Sequence, residues 1–207
     1  MGRFWDLAFT PGVKAVQRRM GSRRAYGRSA GDGRGPEPLG PDEREFLAER
    51  DSFYLASVGE GGWPYVQHRG GPRGFVRVLD DATIGFADFR GNQQYISVGN
   101  IEHDDRVALI FVDYPNRTRL KILAHARAIA EADDAGLLPR LAVPGYGAKI
   151  ERGLVLAVEG FDWNCPQHIV PRFTEEEIAR TLAPMRARLD ALEEENRELR
   201  ASRIDGA

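Results

Sequence analysis

The sequence of 207 residues contains one cysteine, Cys165, and four histidines. One cysteine excludes an internal disulfide and any metal site built from several cysteines, and it suits a reducing cytoplasm. The histidines show no close metal-ligand spacing such as H-x-x-x-H, so we expect no zinc site. Cys165 is therefore interpreted as a buried apolar residue and not as a redox thiol.

Long apolar runs are also missing. No run approaches the ~18 residues that a membrane-spanning helix needs, and the apolar stretch at the N-terminus is too short for a signal peptide. We therefore expect a cytoplasmic protein without a membrane partner. Neither a G-x-G-x-x-G fingerprint nor a P-loop occurs. No spacing joins Ser, His and Asp into a triad, so the sequence assigns no catalytic residues.

An excess of charge of one sign is likewise absent. The 29 Lys and Arg residues nearly balance the 31 Asp and Glu residues, which gives no reason to expect a nucleic-acid partner. Residues 1–40 differ, with eight basic side chains against three acidic ones. We interpret this arm as solvated or docked on its own protein, and contact with an anion is the alternative.

Three segments follow from the patterns along the chain. Residues 1–40 form the basic arm, with a short helix that begins near Pro11 and a flexible connector, GRSAGDGRGPEPLGP. Residues 41–173 form a barrel domain, which opens with a helix over 41–50. Residues 174–207 form a C-terminal helix.

The middle segment reads as a series of strands, because short runs of β-branched and aromatic residues alternate with turn residues. Few long helices separate them, which favours a closed or half-closed antiparallel barrel over a parallel sheet. The predicted fold class is mainly β with flanking helices. The predicted strands are SFYLASV, WPYVQHR, FVRVLD, DATIGFADF, RVALIFVDY, TRLKILAHARAIAE and GLVLAVEGFDW.

Polar side chains lie on the strand WPYVQHR. Alternation places Gln67 and Arg69 on one face and His68 on the other. A buried Arg69 requires a partner, which is either a carboxylate such as Asp88 or a ligand. The glycines that follow the strand are interpreted as letting the backbone approach a flat ligand.

Two further clusters are candidates for binding an anion. The first combines amide and hydroxyl side chains with a helix start, which suits phosphate, although Gly-Asn is also an ordinary turn. Its members are Asp88, Arg90, Asn92, Gln93, Gln94 and Ser97. The second places Arg117, Arg119 and Lys121 on one face of a strand, with an anion or a solvated edge strand as the two explanations.

The C-terminal segment has an apolar repeat with alternating spacings of four and three, which is the pattern of a coiled coil. A helix packed on its own barrel is the alternative. Pro184 should kink the helix, so that continuous pairing begins at Met185. The repeat consists of Ile178, Leu182, Met185, Leu189, Leu192, Asn196 and Leu199.

The blocks PYVQHRGG, GFADFRGNQQYISVGN, DDRVALIFVDYPNRTRLKILAHARAI and FDWNCPQHIVPRFT occur in this order. Together they resemble the flavin-nucleotide-binding split-barrel proteins related to pyridoxamine 5′-phosphate oxidase, in a bacterial branch of that family. The resemblance covers roughly residues 41–173. It implies an FMN-binding split β-barrel and a homodimer with FMN at the subunit interface.

The resemblance also implies roles for single residues. Gln67, His68 and Arg69 fall on or beside the strand that lines the flavin, and Asp88 precedes the phosphate loop of Asn92, Gln93, Gln94 and Ser97. Arg119 and Lys121 fall on the strand that faces the ring and phosphate, and the segment around Trp163 reaches the flavin of the other subunit. One departure is Gln93, which stands where this branch is expected to have an arginine, and this change could weaken the affinity for phosphate.

The resemblance implies an FMN-dependent oxidoreductase that acts on a small-molecule redox substrate of unknown identity. Vitamin B6 oxidation is not expected, because the substrate-binding C-terminal pattern of the true oxidases is missing. Two alternatives stay open. The protein is a flavin-binding carrier or sensor without turnover, or the same fold holds a deazaflavin or haem.

Overall fold

The computed structural model describes residues 2–26, 35–164 and 166–205. The strands form one antiparallel sheet in the order β2-β1-β5-β6-β7-β4-β3. This confirms the predicted mainly β fold with flanking helices. The elements are α1 Arg3–Ala8, α2 Pro11–Arg19, α3 Pro41–Ala48, β1 Ser52–Val58, β2 Pro64–Gly70, β3 Val76–Val78, β4 Thr83–Phe89, α4 Ile96–His103, β5 Arg106–Asp113, β6 Thr118–Ile129, α5 Leu137–Leu141, β7 Ile150–Asn164 and α6 Glu175–Asp205.

The core lies inside a curved sheet. Phe53 of β1 contacts Phe111 of β5 and Phe86 of β4, at ring-centre distances of 4.7 and 5.1 Å, and it also stacks on Phe75 at 5.8 Å. Each large apolar side chain that is fully buried stabilises the fold by about 1.5–3 kcal/mol. Because these rings come from both ends of the sheet, their burial favours a curved sheet and hence a barrel.

The barrel is split between its two edge strands, β2 and β3, which are not neighbours in the sheet. A side-chain ion pair spans the opening: Arg69 Nη1 of β2 lies 2.7 Å from Asp88 Oδ1 of β4. The sequence predicted a closed or half-closed barrel, and the structure has the half-closed form. Of the two possible partners of Arg69, a carboxylate and a ligand, the carboxylate of Asp88 is present in the structure.

The glycines after β2 have a local structural role. A Cβ atom on Gly71 would come within 2.8 Å of the Phe75 ring, and Gly74 has a φ of +74°. Close packing and a left-handed turn explain these two glycines without a ligand. Our interpretation that they admit a flat ligand is therefore unnecessary at these positions.

The N-terminal arm docks on the barrel through α1. Phe4 is buried, and the guanidinium of Arg3 lies 3.0 Å from the carboxylate of Glu159 on β7. The second half of the predicted flexible connector is also docked, since Leu39 is buried and its N–H donates to the carbonyl of Asp81 at 2.7 Å. Residues 27–34, which include Arg28 and Arg34, lie outside the described residues.

The chain separates into two compact units, 1–113 with 117–168 and 114–116 with 169–207. The second unit contains α6, whose start was predicted correctly. The Thr174 hydroxyl accepts from the N–H of Glu177 at 3.2 Å, and the Glu177 carboxylate accepts from the N–H of Thr174 at 2.8 Å. This is the reciprocal capping box that the sequence predicts. Among the described residues, no helix is long and apolar enough to span a bilayer.

Docking of α1 depends on Gly160 of β7, where a Cβ atom would lie 2.4 Å from the backbone nitrogen of Phe4. Gly160→Ala should lower the free energy of unfolding by about 1–3 kcal/mol, because the helix must shift or detach. Urea unfolding followed by circular dichroism measures this change. Gly61→Ala is the control, since a Cβ atom there meets no atom within 4 Å. Equal stability of the two variants would show that α1 does not pack against β7.

Candidate functional site

A cavity of about 280 Å³ lies at the split of the barrel. Its wall consists of β2, the end of β4, and the loop that leads into α4. It brings together the first two polar clusters of the sequence, which are separated along the chain. The predicted site residues in the wall are Gln67, His68, Arg69, Asp88, Asn92, Gln93, Gln94 and Ser97.

The β2 wall has the alternation that the sequence predicts, with Gln67 and Arg69 half-buried and His68 exposed. The Tyr65 hydroxyl donates a hydrogen bond to Oε1 of Gln67, and Nε2 of Gln67 donates to the His68 carbonyl at 3.3 Å. The His68 ring packs edge-on against Tyr54 of β1 at 5.5 Å. The side chains of Tyr65 and Gln67 are thus oriented by each other.

Charged groups are packed closely behind this wall. Asp88 is buried between two cations, because its second oxygen, Oδ2, lies 3.6 Å from Nε of Arg152. Nε of Arg69 is buried and has no hydrogen-bond partner in the described part of the chain. A buried N–H without an acceptor costs about 1–3 kcal/mol. The Arg69 side chain can therefore still accommodate an acceptor from a ligand.

The loop before α4 is held in an unusual backbone conformation. Gln93 and Tyr95 have positive φ angles of 59° and 53°, which non-glycine residues adopt rarely. The Asn92 side chain supports this turn by accepting from the N–H of Gln94 at 3.2 Å. The loop brings the N-terminal end of α4 to the cavity, where the first N–H groups of a helix lack intrahelical acceptors.

Ser97, in the first turn of α4, provides a second unsatisfied polar group at the cavity. Its side chain lines the cavity and is 3% exposed, but its hydroxyl has no hydrogen-bond partner among the described residues. A buried hydroxyl without a partner is costly. Together with the helix N-terminus, it forms a group of donors that suits an oxyanion.

Glu151 of β7 is a cavity residue that sequence reasoning missed. Its carboxylate accepts hydrogen bonds from Nε2 of Gln93 and from the Tyr95 hydroxyl, both at 3.4 Å. Glu151 is the extra residue of a β-bulge, because Asp88 pairs with Arg152 and the next residue of β4 pairs with Ile150. Bulges redirect side chains, and this one depends on strand pairing that the sequence pattern does not specify.

Arg119, Lys121 and Trp163 do not line this cavity. Arg119 and Lys121 lie on the outer face of β6, since the intervening Leu120 is fully buried. Nζ of Lys121 lies 3.3 Å from Oδ2 of Asp162. The edge-strand explanation for these cations is wrong, because β6 lies between β5 and β7.

Trp163 is held by α3. Its indole N–H donates to Oε1 of Glu43 at 2.6 Å, and its ring packs edge-on against Phe46 at 4.8 Å.

No group of three His, Cys, Asp or Glu residues that could hold a metal ion occurs within the described ranges. Cys165 lies outside them, so its predicted burial stays a prediction.

Comparisons with solved structures find proteins of similar fold. HupZ of Group A Streptococcus has 18% identity and a TM-score of 0.45, with 65% of this chain and 100% of that chain covered. A protein from Clostridium acetobutylicum is related to general stress protein 26 and belongs to the pyridoxinephosphate oxidase family. It has 15% identity and a TM-score of 0.46, with 66% of this chain and 94% of that chain covered. An FMN-binding protein from Syntrophomonas wolfei has 13% identity and a TM-score of 0.42, with 72% of this chain and 97% of that chain covered.

A comparison with curated proteins found no match. The family model described as pyridoxamine 5′-phosphate oxidase matches residues 39–159, which is more than half of the chain. This range contains every strand except the end of β7, and it contains the whole wall of the cavity. The chain therefore belongs to the pyridoxamine 5′-phosphate oxidase family.

Proposed function

We propose that this chain binds FMN in the cavity at the split of the barrel and is an FMN-dependent oxidoreductase with a small-molecule substrate. One observation carries the proposal: the buried, unpartnered hydroxyl of Ser97 lies at the start of α4, on the wall of the cavity. Membership of the family and the FMN-binding protein of similar fold support the choice of flavin.

The residues of the cavity suit the two ends of FMN. The turn of Asn92, Gln93 and Gln94 and the hydroxyl of Ser97 would hold the phosphate, while Gln67 and Arg69 would face the ribityl chain and ring. When bound, FMN supplies the redox chemistry through its isoalloxazine ring. The chain itself contributes binding, orientation and charge. Arg69 is suited to the last role because Asp88 holds its guanidinium in place.

The charge of the cavity supports a second subunit as part of the site. Among the described residues that line it, Arg69 supplies the only permanent positive charge, and it already pairs with Asp88. Arg90 and Arg152, just behind the wall, already pair with Glu151. A phosphate with up to two negative charges requires more cations than this. We propose that Arg119 and Lys121 of a second copy supply them in a homodimer.

The outer face of the sheet supports such a dimer. Tyr54, Val58 and Val66 are exposed on neighbouring strands β1 and β2. An apolar patch on a sheet face is typical of a protein interface. We also propose that Trp163 lies near the partner's flavin, where its hydrogen bond to Glu43 would fix the orientation of the indole.

The purified protein tests the proposal directly. A flavin absorption spectrum, with FMN identified by mass spectrometry after denaturation, is the expected result. A Soret band or a deazaflavin spectrum would contradict it and support the corresponding alternative. Anaerobic reduction of the bound flavin by NADH or NADPH would support an oxidoreductase. A flavin that neither nucleotide reduces would favour the carrier or sensor.

Ser97→Ala should weaken FMN binding about tenfold or more, because it removes a hydrogen bond to a charged group. The same variant should leave the flavin-free protein as stable as before, or more stable, since it removes a buried hydroxyl without a partner. Fluorescence titration and urea unfolding measure the two effects. Ser57→Ala is the control: its hydroxyl accepts from Nδ2 of Asn100 at 3.0 Å, so this change should cost stability and spare affinity. Unchanged affinity of Ser97→Ala would place the phosphate elsewhere.

Glu151→Gln should tighten FMN binding about threefold or more at low ionic strength, because it removes a negative charge beside the phosphate loop and ends the ion pairs that this charge forms with Arg90 and Arg152. Added salt should reduce the gain. The introduced amide can still accept hydrogen bonds from Gln93 and Tyr95. Glu60→Gln, in the turn between β1 and β2, is the control for a remote carboxylate and should have no effect. Weaker binding by Glu151→Gln would argue against a phosphate in this loop.

Arg119→Ala should weaken FMN binding about tenfold through loss of a charge-assisted contact. Arg127→Ala is the matched control, since Arg127 lies on the same face of β6 farther from the start of the strand. Analytical ultracentrifugation checks the shared site at the same time. A monomer that retains FMN, or equal affinity of the two variants, would refute the contribution of a second subunit.

A further inference from the structure

The helix α6 has an apolar stripe that its own unit leaves exposed. The stripe consists of six side chains with exposed fractions between 37% and 68%: Ile178, Leu182, Met185, Leu189, Leu192 and Leu199. Asn196 interrupts the stripe near its C-terminal end. Apolar side chains repeated in this way along one helix are typical of a helix that pairs with another.

The spacing fixes the heptad positions. Leu182, Leu189 and Asn196 occupy position a, and Ile178, Met185, Leu192 and Leu199 occupy position d. Pro184 lies at an outer position, c, within the helix. Because proline disrupts the helix around it, the segment Met185–Arg200 is the part best suited to pairing.

The charges beside the stripe are arranged differently from those on the outer side. At the outer positions, Arg180 pairs with Glu176 at 2.9 Å, and Arg197 pairs with Glu194. The residues that flank the stripe form no ion pair with any side chain that the structure describes. These flanking residues are Arg186, Arg188, Glu193, Glu195 and Arg200.

A second copy of this helix, parallel and in register, would pair these charges. Residues at position g then face residues five positions later, at position e of the other helix. Arg188 would face Glu193 of the second copy, and Glu195 would face Arg200 of the second copy. Both contacts join opposite charges.

Asn196 distinguishes the parallel arrangement from the antiparallel one. In a parallel pair Asn196 faces the same residue of the second copy, and the two amides can hydrogen-bond to each other. In an antiparallel pair Asn196 would face Met185, and its amide would be buried without a partner. We propose that Met185–Arg200 forms a parallel, two-stranded coiled coil with a second copy of this chain.

The pairing segment is short, and isolated helices of this length are marginal. Association of the barrels would raise the local concentration of the two helices, which favours their pairing. The proposal does not depend on the flavin, so its test measures only the pairing of the two α6 helices.

Disulfide formation in the full chain tests the parallel register. In a Cys165→Ser background, Leu199→Cys places a thiol at position d, and Ala187→Cys places one at the outer position f as the control. Leu199→Cys should form the linked dimer about tenfold faster than Ala187→Cys in a glutathione buffer. Equal rates would overturn the proposal.

Charge exchange in the Leu199→Cys protein tests the orientation. Glu193→Arg should slow the disulfide about threefold, because it opposes two positive charges in each of two contacts. Adding Arg188→Glu should restore the rate. In an antiparallel pair Glu193 would face Arg186, so restoration by Arg186→Glu instead would overturn the parallel arrangement. A rate that Glu193→Arg does not change would also overturn it.

Discussion

The ion pair between Arg69 and Asp88 is the contact on which the site depends, because it joins two strands that share no hydrogen-bonded neighbour at the split. Both side chains are largely removed from water, so their attraction is screened less than that of a surface pair. Removal of Asp88 would leave the largely buried guanidinium of Arg69 without a carboxylate, at a cost of about 3–5 kcal/mol. Removal of Arg69 would leave Asp88 with Arg152 as its remaining cation. This ion pair therefore bridges the opening between the strands, and the cavity lies where the sheet does not continue across that opening.

The same opening explains the polar character of the cavity. Where strands pair, backbone groups satisfy each other, but at the split the wall is made of side chains and the start of a helix. Ser97 and Arg69 each keep a buried polar atom without a partner in the described structure. Glu151 provides an acceptor for the loop donors. Arrangements with such unsatisfied groups are costly in a core and are characteristic of binding sites.

Local patterns predicted much of the fold. The bounds of β1, the alternating burial along β2 and the capping box of α6 follow from residues within one element, so neighbouring side chains suffice to predict them. The clusters on β2 and before α4 were also identified from residue type and spacing. The heptad repeat of α6 was equally visible, because periodicity within a helix requires no tertiary information.

Features that depend on distant parts of the chain were not predictable in this way. Glu151 enters the cavity through a bulge, which is set by the pairing of β4 with β7. Arg119 and Lys121 lie on the outer face of a central strand, a position that only the strand order defines. The docking of Leu39 likewise depends on a contact with Asp81, far along the chain, and glycine-rich composition concealed it.

The central claim is that a flavin phosphate binds at the start of α4, within the split of the barrel. Backbone amide chemical shifts, recorded by NMR while FMN is added to the flavin-free protein, test it most directly. The account predicts saturable shifts that are largest for residues 93–98, with the Ser97 amide among the most affected. Largest shifts outside the wall of the cavity, or no saturable change at residues 93–98, would contradict it.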